Sequence, residues 1–431
     1  MKIQKTSLYS FIIYTMIFAY MLGPSLSHII GIPRIDNPLT AVFWAVAVLT
    51  LFLERKNFPV KYFPFLAMLA LMASWPILHF FITPLTSAAR YADLMFFMVL
   101  PCLAYYSYLI VSRHPDSLGF IRRLLWIIVP LTGLPPLIEL FTGFQFTSSS
   151  ELMAVEVGIT KGLFFNPNNL GTFALCMTPA VLFFFNLQAR SPKDVLSGWF
   201  LFVLLGFTVF ASASRTAILC FTILTAFYFI YRGNILSVMV AVILSTVAIL
   251  SIPEQWVKEF LLSMHGNPFL ENISSRLYLF LFELESDNSV SYRQEIYNYF
   301  WQNPPFLVTG YGPKNFIGYF GGKLTNELAF ENPHSFLIEL YLSFGLVSFA
   351  AFVCYVGTYV AGLVSDGRLN NRQRFFALSA MALFLIGGFI PSSVFRMPLI
   401  WLPCFLIFTY VSCTAREPAT HRITRKIPAT V

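Results

Sequence analysis

Asn332-Pro333-His334-Ser335 opens onto the run FLIELYLSFGLVSFAAFVCYVGTYVAGLV at residues 336–364, and this junction decides how the whole chain is read. The run is long and apolar enough to cross a bilayer, which takes about 20 residues. The histidine ahead of it therefore stands at a water–lipid boundary, in a chain with six histidines among 431 residues. Asn332 is expected to cap the helix, with Pro333 at the first helical position and His334 in the first turn. The positive helix end then disfavours imidazolium, so His334 is expected to be neutral at pH 7, as a general base requires. The plainer alternative is an interfacial histidine that satisfies one hydrogen bond.

Outward from this junction the chain keeps the same character. Hydrophobic residues make up 57% and charged ones 11%, where a soluble domain is about a quarter charged. Apolar segments lie near 8–30, 38–53, 62–82, 92–112, 121–142, 166–188, 196–211, 215–231, 235–252, 333–364, 373–391 and 397–413. The expected architecture is all-α, a single polytopic membrane domain over 1–431 with about twelve spans. Lys2 and Lys5 precede a first run with no clear small-residue cleavage site, so a retained first helix is expected. The six cysteines fall inside apolar runs and suggest neither a disulfide framework nor a zinc site.

Charge then sets the orientation. With the N-terminus in the cytoplasm, the inner loops and tails hold eighteen of the 28 Lys and Arg residues against five acids. Both termini are then cytoplasmic, as the positive-inside rule asks. The net charge of +8 reflects topology and gives no reason to expect a nucleic-acid partner. Two polar segments face outward, 143–165 and 253–332. The second is large enough for a helical cap between the ninth and tenth spans, and its mix of aromatic and charged residues suits helices along a membrane surface.

Several outer-side residues are candidates for chemistry. Arg215 sits in the short link Ala211-Ser212-Ala213-Ser214-Arg215-Thr216, where Ser214 can cap the next helix and leave N–H groups beside the guanidinium. That arrangement favours a phosphate, although plain snorkelling to the boundary explains many such arginines. Arg293 starts the aromatic segment Tyr292-Arg293-Gln294-Glu295-Ile296-Tyr297, which leads to Gly310-Tyr311-Gly312-Pro313. A surface ion pair with Glu295 or Glu285 is its alternative. Arg276 and Arg396 are weaker anion-binding candidates. Asn168, in Asn166-Pro167-Asn168-Asn169, can bind sugar hydroxyls, although capping of the sixth helix also accounts for this stretch. Asp36, Asp93 and the acids of 271–295 lack the paired spacing of a metal site, so metal-free chemistry without a cofactor is expected.

In this order, Ser-Arg-Thr after an outer turn, an Arg-led aromatic helix ending in Gly-Tyr-Gly-Pro-x-Asn-Phe, then Asn-Pro-His-Ser, the chain resembles the bacterial O-antigen ligase and O-antigen polymerase superfamily. The ligase-type pattern of His, a small polar residue, nine residues and Gly reads here as His334-Ser335 and Gly345, with Ser348 departing at its last position. The resemblance implies a GT-C-like inner-membrane glycan transferase with its site on the periplasmic side. Its donor would be an undecaprenyl-diphosphate-linked glycan, and its acceptor the lipid A core or a second lipid-linked glycan. It also implies that Arg215 and Arg293 clamp the diphosphate while His334 deprotonates or orients the acceptor hydroxyl, with Arg276, Asn332, Ser335, Asn168 and Arg396 lining the substrates. The anomeric centre would be inverted.

A transporter or flippase of lipid-linked sugar is the rival from a different class. It would carry charge deep in its helices, whereas here the arginines gather at one face and the span centres are nearly uncharged.

Overall fold

The computed structural model describes residues 5–31, 36–53, 88–114, 116–147, 160–189, 191–232, 253–266, 271, 274–275, 277–278, 281–282, 288–308, 310–312, 317–320, 333–391, 394–395 and 397–414. Among them there is no strand. In chain order the helices are α1 (Lys5–Ile30), α2 (Asp36–Leu53), α3 (Ala88–Arg113), α4 (Ser117–Thr142), α5 (Pro167–Val181), α6 (Pro192–Ala211), α7 (Arg215–Arg232), α8 (Glu254–Ser263), α9 (Asn288–Gln302), α10 (Ile317–Phe320), α11 (Phe336–Val364), α12 (Asn371–Gly387) and α13 (Pro398–Thr414). Each apolar segment read from the sequence falls on one of these helices except 62–82 and 235–252, which lie outside the described residues.

Helix α5 is the axis of the bundle. Its residues from Leu170 to Val181 are all buried, and α4, α6, α12 and α13 pack around it. Close approach is achieved with small residues, as helix pairs in a membrane need. A Cβ on Gly133 of α4 would stand 2.7 Å from Leu204 Cγ of α6, and one on Gly171 of α5 would stand 2.4 Å from Ser212 Oγ. The outward faces are apolar. Leu196, Phe200, Val203 and Phe210 on α6, and Leu219, Ile223, Phe227 and Phe229 on α7, are exposed. Apolar stripes of this extent belong against lipid, and five helices among the described residues are long and apolar enough to cross a membrane. The described residues are thus helical throughout their regular structure, as a polytopic membrane protein requires.

Two local features correct the sequence reading. Helix α11 begins at Phe336 with Ser335 as its N-cap, in extended backbone, its Oγ accepting from the Ile338 N–H. Asn332 therefore does not cap this helix, and His334 lies ahead of the first turn; serine and asparagine cap about equally well, and the position nearer the apolar run takes the role. The expected continuous run is also broken. Gly345 adopts φ 76° and ψ −174°, and the segment 307–312 docks at the break. There Tyr311 N–H donates to Leu342 O (2.7 Å), Gly312 N–H to Ser343 O (2.9 Å), Leu346 N–H to Leu307 O (2.8 Å) and Val347 N–H to Val308 O (3.4 Å). Backbone groups released by the break thus regain partners, as burial demands.

Candidate functional site

The α11 N-terminus meets α9, the end of α12 and the segment 388–395. Phe336 N–H donates to Gly388 O at 3.0 Å, and a Cβ at Gly388 would lie 2.7 Å from Phe336 Cβ. The Phe336 ring packs edge-on to Phe352 (5.0 Å), Phe384 (5.2 Å) and Trp401 (5.0 Å). One turn further on, buried Glu339 accepts from Val394 N–H at 3.3 Å. These contacts fix the junction on a rigid aromatic floor, so the residue just before it has a defined place.

That residue is His334, which is 6% exposed and has φ 46°. A left-handed backbone in a non-glycine residue costs roughly 1–3 kcal/mol and tends to mark functional sites. Among the described residues the other such case is Ala213 (φ 50°), in the turn that precedes Arg215. Both departures from ordinary backbone therefore fall beside residues singled out from the sequence.

Helix α9 supplies the facing side. Arg293 and Tyr297 are one turn apart and share a face. Tyr297 Oη donates to the His334 carbonyl at 2.7 Å, while Arg293 Nη2 donates to Ile390 O at 3.3 Å. Arg293 is half-buried, and its guanidinium reaches the carbonyl of Ile390; Glu285, one of the ion-pair partners considered above, lies outside the described residues. Burial, with the neighbouring Arg293 charge second, holds the His334 imidazole well below its ordinary 6.5, at about 3. Burial also lowers Arg293 and raises Tyr297, each shift partly opposed by the other residue. At pH 7 the site is a guanidinium beside a neutral imidazole.

Arg215 and Asn168 occupy neighbouring helix ends at the same end of the bundle. Asn166 caps α5, its Oδ1 accepting from Asn168 N–H at 2.8 Å with Pro167 at the first position, as the sequence predicts. Gly171, the next turn of α5, packs against Ser212 and Ser214 ahead of Arg215. On its other side α5 presents Thr172 and Cys176 to Gly387, the residue before Gly388. Buried Glu139 of α4 closes this end, accepting from the N–H groups of Lys161 (2.7 Å), Gly162 (2.7 Å) and Phe146 (3.2 Å). Thus His334, Ser335 and Arg293 come together, with Arg215 and Asn168 on adjoining helices. Arg276, Asn332 and Arg396 lie outside the described residues.

Beside His334 an apolar cavity of about 420 Å³ runs between α9 and α11. Phe300, Trp301 and Pro304 wall one side and Leu337, Tyr341 and Phe349 the other, with Ser335 and Tyr297 on its lining as well. Such a slot accepts hydrocarbon along its length, and Tyr297 and Ser335 on its lining are the neighbours of Arg293 and His334.

Residues 200–353 match the family model described as O-antigen ligase. This span carries Arg215, Arg293, Tyr297, His334, Glu339 and Gly345, and it supports the O-antigen ligase and polymerase superfamily that the order of motifs resembles. The family is one of glycan-transferring enzymes, with lipid-linked glycans and their acceptors as partners. No curated protein matches the chain.

Tyr297 and Glu339 are absent from the residues singled out by sequence. Glu339 leaves a trace, being the one acid within 336–364, and Tyr297 leaves a fainter one in its four-residue spacing from Arg293.

Proposed function

We propose that the protein transfers a glycan from an undecaprenyl-diphosphate donor to a sugar hydroxyl at the periplasmic face of the inner membrane, and that it is an O-antigen ligase with the lipid A core as acceptor. The observation that carries this reading is the pairing of Arg293 with His334. Among the described residues the arginine makes one long hydrogen bond to a carbonyl, and it lies close enough to the imidazole to lower its basicity. A cation so held is ready for an anion.

In this mechanism Arg293 and Arg215 hold the diphosphate. They stabilise the charge that grows on it as the bond from the anomeric carbon to the phosphate oxygen breaks. The acceptor oxygen attacks the opposite face of that carbon, inverting it, and its proton passes to His334. The polyprenyl diphosphate leaves with the electron pair, so the chemistry calls for neither a metal nor a general acid. A resting imidazole near 3 is neutral at pH 7 but only weakly basic. A bound diphosphate neutralises the Arg293 charge, the lesser of the two causes after burial, and so raises the basicity when the donor is in place. Asn168 and Ser335 would contact sugar hydroxyls, the apolar slot would take part of the isoprenoid chain, and 253–332 would form the cap over both substrates. Asn332, Arg276 and Arg396 remain substrate-binding candidates on this reading.

The test is His334→Ala in cells lacking the native copy, with lipopolysaccharide read by gel. Loss of polymer from the core, with accumulation on the lipid carrier, is expected. If a single repeat still reaches the core and only long chains vanish, the protein is a polymerase. An unchanged ladder overturns the role of His334. Activity in vesicles without an ion gradient separates a transferase from a transporter.

A further inference from the structure

We infer that Tyr297 is a positioning residue for the transfer reaction, its hydroxyl holding His334 in the left-handed conformation that keeps the imidazole beside Arg293. This inference rests on the transfer reading given above. The observations are geometric. His334 cannot adopt φ 46° without cost, so something must hold it there. Its amide neighbours are fixed on the α12 side by the Phe336 N–H bond to Gly388 O, but that bond constrains the chain after the strained residue. The carbonyl of His334 itself is held by Tyr297 Oη at 2.7 Å, a good distance for a hydroxyl donor. Because Arg293 lies one turn earlier on the same face of α9, the bond that pins the His334 backbone also sets the imidazole against the guanidinium.

The Tyr297 ring has separate support. It lies edge-on to Phe389 with centroids 6.5 Å apart and lines the apolar cavity. Removing the hydroxyl alone therefore leaves the packing in place. Among the described residues, the titratable groups on the helices that meet at this junction are Arg293 and Tyr297 on α9 and Glu339 on α11, while the stretch after α12 gives the carbonyls of Gly388 and Ile390 and the ring of Phe389. Of these, Arg293 is the charge that lowers His334, after burial. If the backbone of His334 relaxes, the imidazole moves from both influences and becomes easier to protonate.

The experiment compares wild type, Tyr297→Phe and Tyr297→para-aminophenylalanine, the last restoring a donor to the same ring position. Transfer is followed with lipid-linked glycan in detergent, over roughly pH 4 to pH 8 so as to bracket the ordinary histidine range. Tyr297→Phe is expected to lower kcat about tenfold with the donor KM within about twofold, the pattern of a lost transition-state arrangement. The acid limb of its kcat/KM profile moves up toward the ordinary histidine value, and the amino analogue returns both toward wild type. A hydroxyl that merely stabilises the fold would leave the profile of folded molecules unmoved. Wild-type kcat and profile in Tyr297→Phe, with His334→Ala inactive, overturn the inference and leave the transfer reading standing. Full activity in His334→Ala overturns the reading beneath it.

Discussion

The two ends of the bundle treat arginine in opposite ways. At the end away from His334, Arg122 of α4 is saturated. It donates to Phe184 O (3.0 Å) and Gln188 O (2.7 Å) and pairs with Asp194 Oδ2 at 2.9 Å. Those carbonyls lie in or just after a π-helical turn, Leu182–Leu187, whose wide ladder closes α5. Asp194 also serves the capping box of α6 with Ser191. Nearby, Arg368 binds Asp366 and Val411 O, and Arg374 reaches Asp366 O. Cations at this end tie helix ends together. At the other end Arg293, among the described residues, donates to one carbonyl at 3.3 Å, and strained backbone flanks the site. On the proposed reading the difference separates an arginine that ties helix ends together from one that receives the donor's diphosphate.

Arg293→Ala tests that contrast at its strongest point. Loss of a preorganised donor to developing charge lowers transfer by about 100- to 1,000-fold, with the folded protein as stable as wild type or more so, since a buried cation is removed. A purified Arg293→Ala protein that keeps its rate places the anion elsewhere. Gly345→Ala should follow in size. Its Cβ would stand 2.3 Å from Val308 O, and φ 76° strains any other residue. The strain alone is worth roughly 1–3 kcal/mol. Both melting temperature and transfer fall, because the joint that fastens α9 and its arginine to α11 comes apart. Gly310, at φ 74° with Ser343 and Phe344 backbone within 2.6 Å of its Cβ position, should behave alike.

Arg122→Ala is the mirror experiment. Three partners lose their donor, at a cost of about 1–3 kcal/mol for hydrogen bonds to a charged group. Thermal unfolding moves down, while transfer per folded molecule stays as it was. If the rate per folded molecule drops as far as in Arg293→Ala, the division of labour between the two ends is wrong.

Much of this contrast was legible in the sequence, but unevenly. Helix positions followed from apolar length, and Asn166-Pro167 announced the start of α5, because both signals are local. The start of α11 was misplaced by three residues, since Asn332 and Ser335 are equally good caps and only packing chooses between them. The break at Gly345 was visible as a motif glycine but not as a break. It goes with a loop more than thirty residues earlier, whose residues 307, 308, 311 and 312 supply hydrogen bonds at the break. Arg293 was found by its company of aromatics, whereas its partner Ile390 and the Tyr297 bond to His334 join distant positions that no spacing rule connects.

The smallest effect at working pH, and the sharpest reading of the site, lies in the pH profile. In the free enzyme His334 is held near 3, so kcat/KM should stay flat from neutral pH down well below the ordinary histidine range. With His334 as the proposed base, the neutral imidazole is the active form, and activity is lost only as pH falls through its pKa. Once the donor's diphosphate lies on Arg293, one of the two causes of that low value is cancelled, and the imidazole regains basicity. The acid limb of kcat, which reports the donor complex, should therefore lie above that of kcat/KM. Stability bends the same way for a separate reason. As pH drops below about 6.5 the unfolded chain binds a proton at His334 that the folded chain refuses, so the melting temperature falls with acid more steeply in wild type than in His334→Ala. Coincident limbs in kcat and kcat/KM would mean that the anion does not bind beside the imidazole, and the two ends of the bundle would then differ in structure alone.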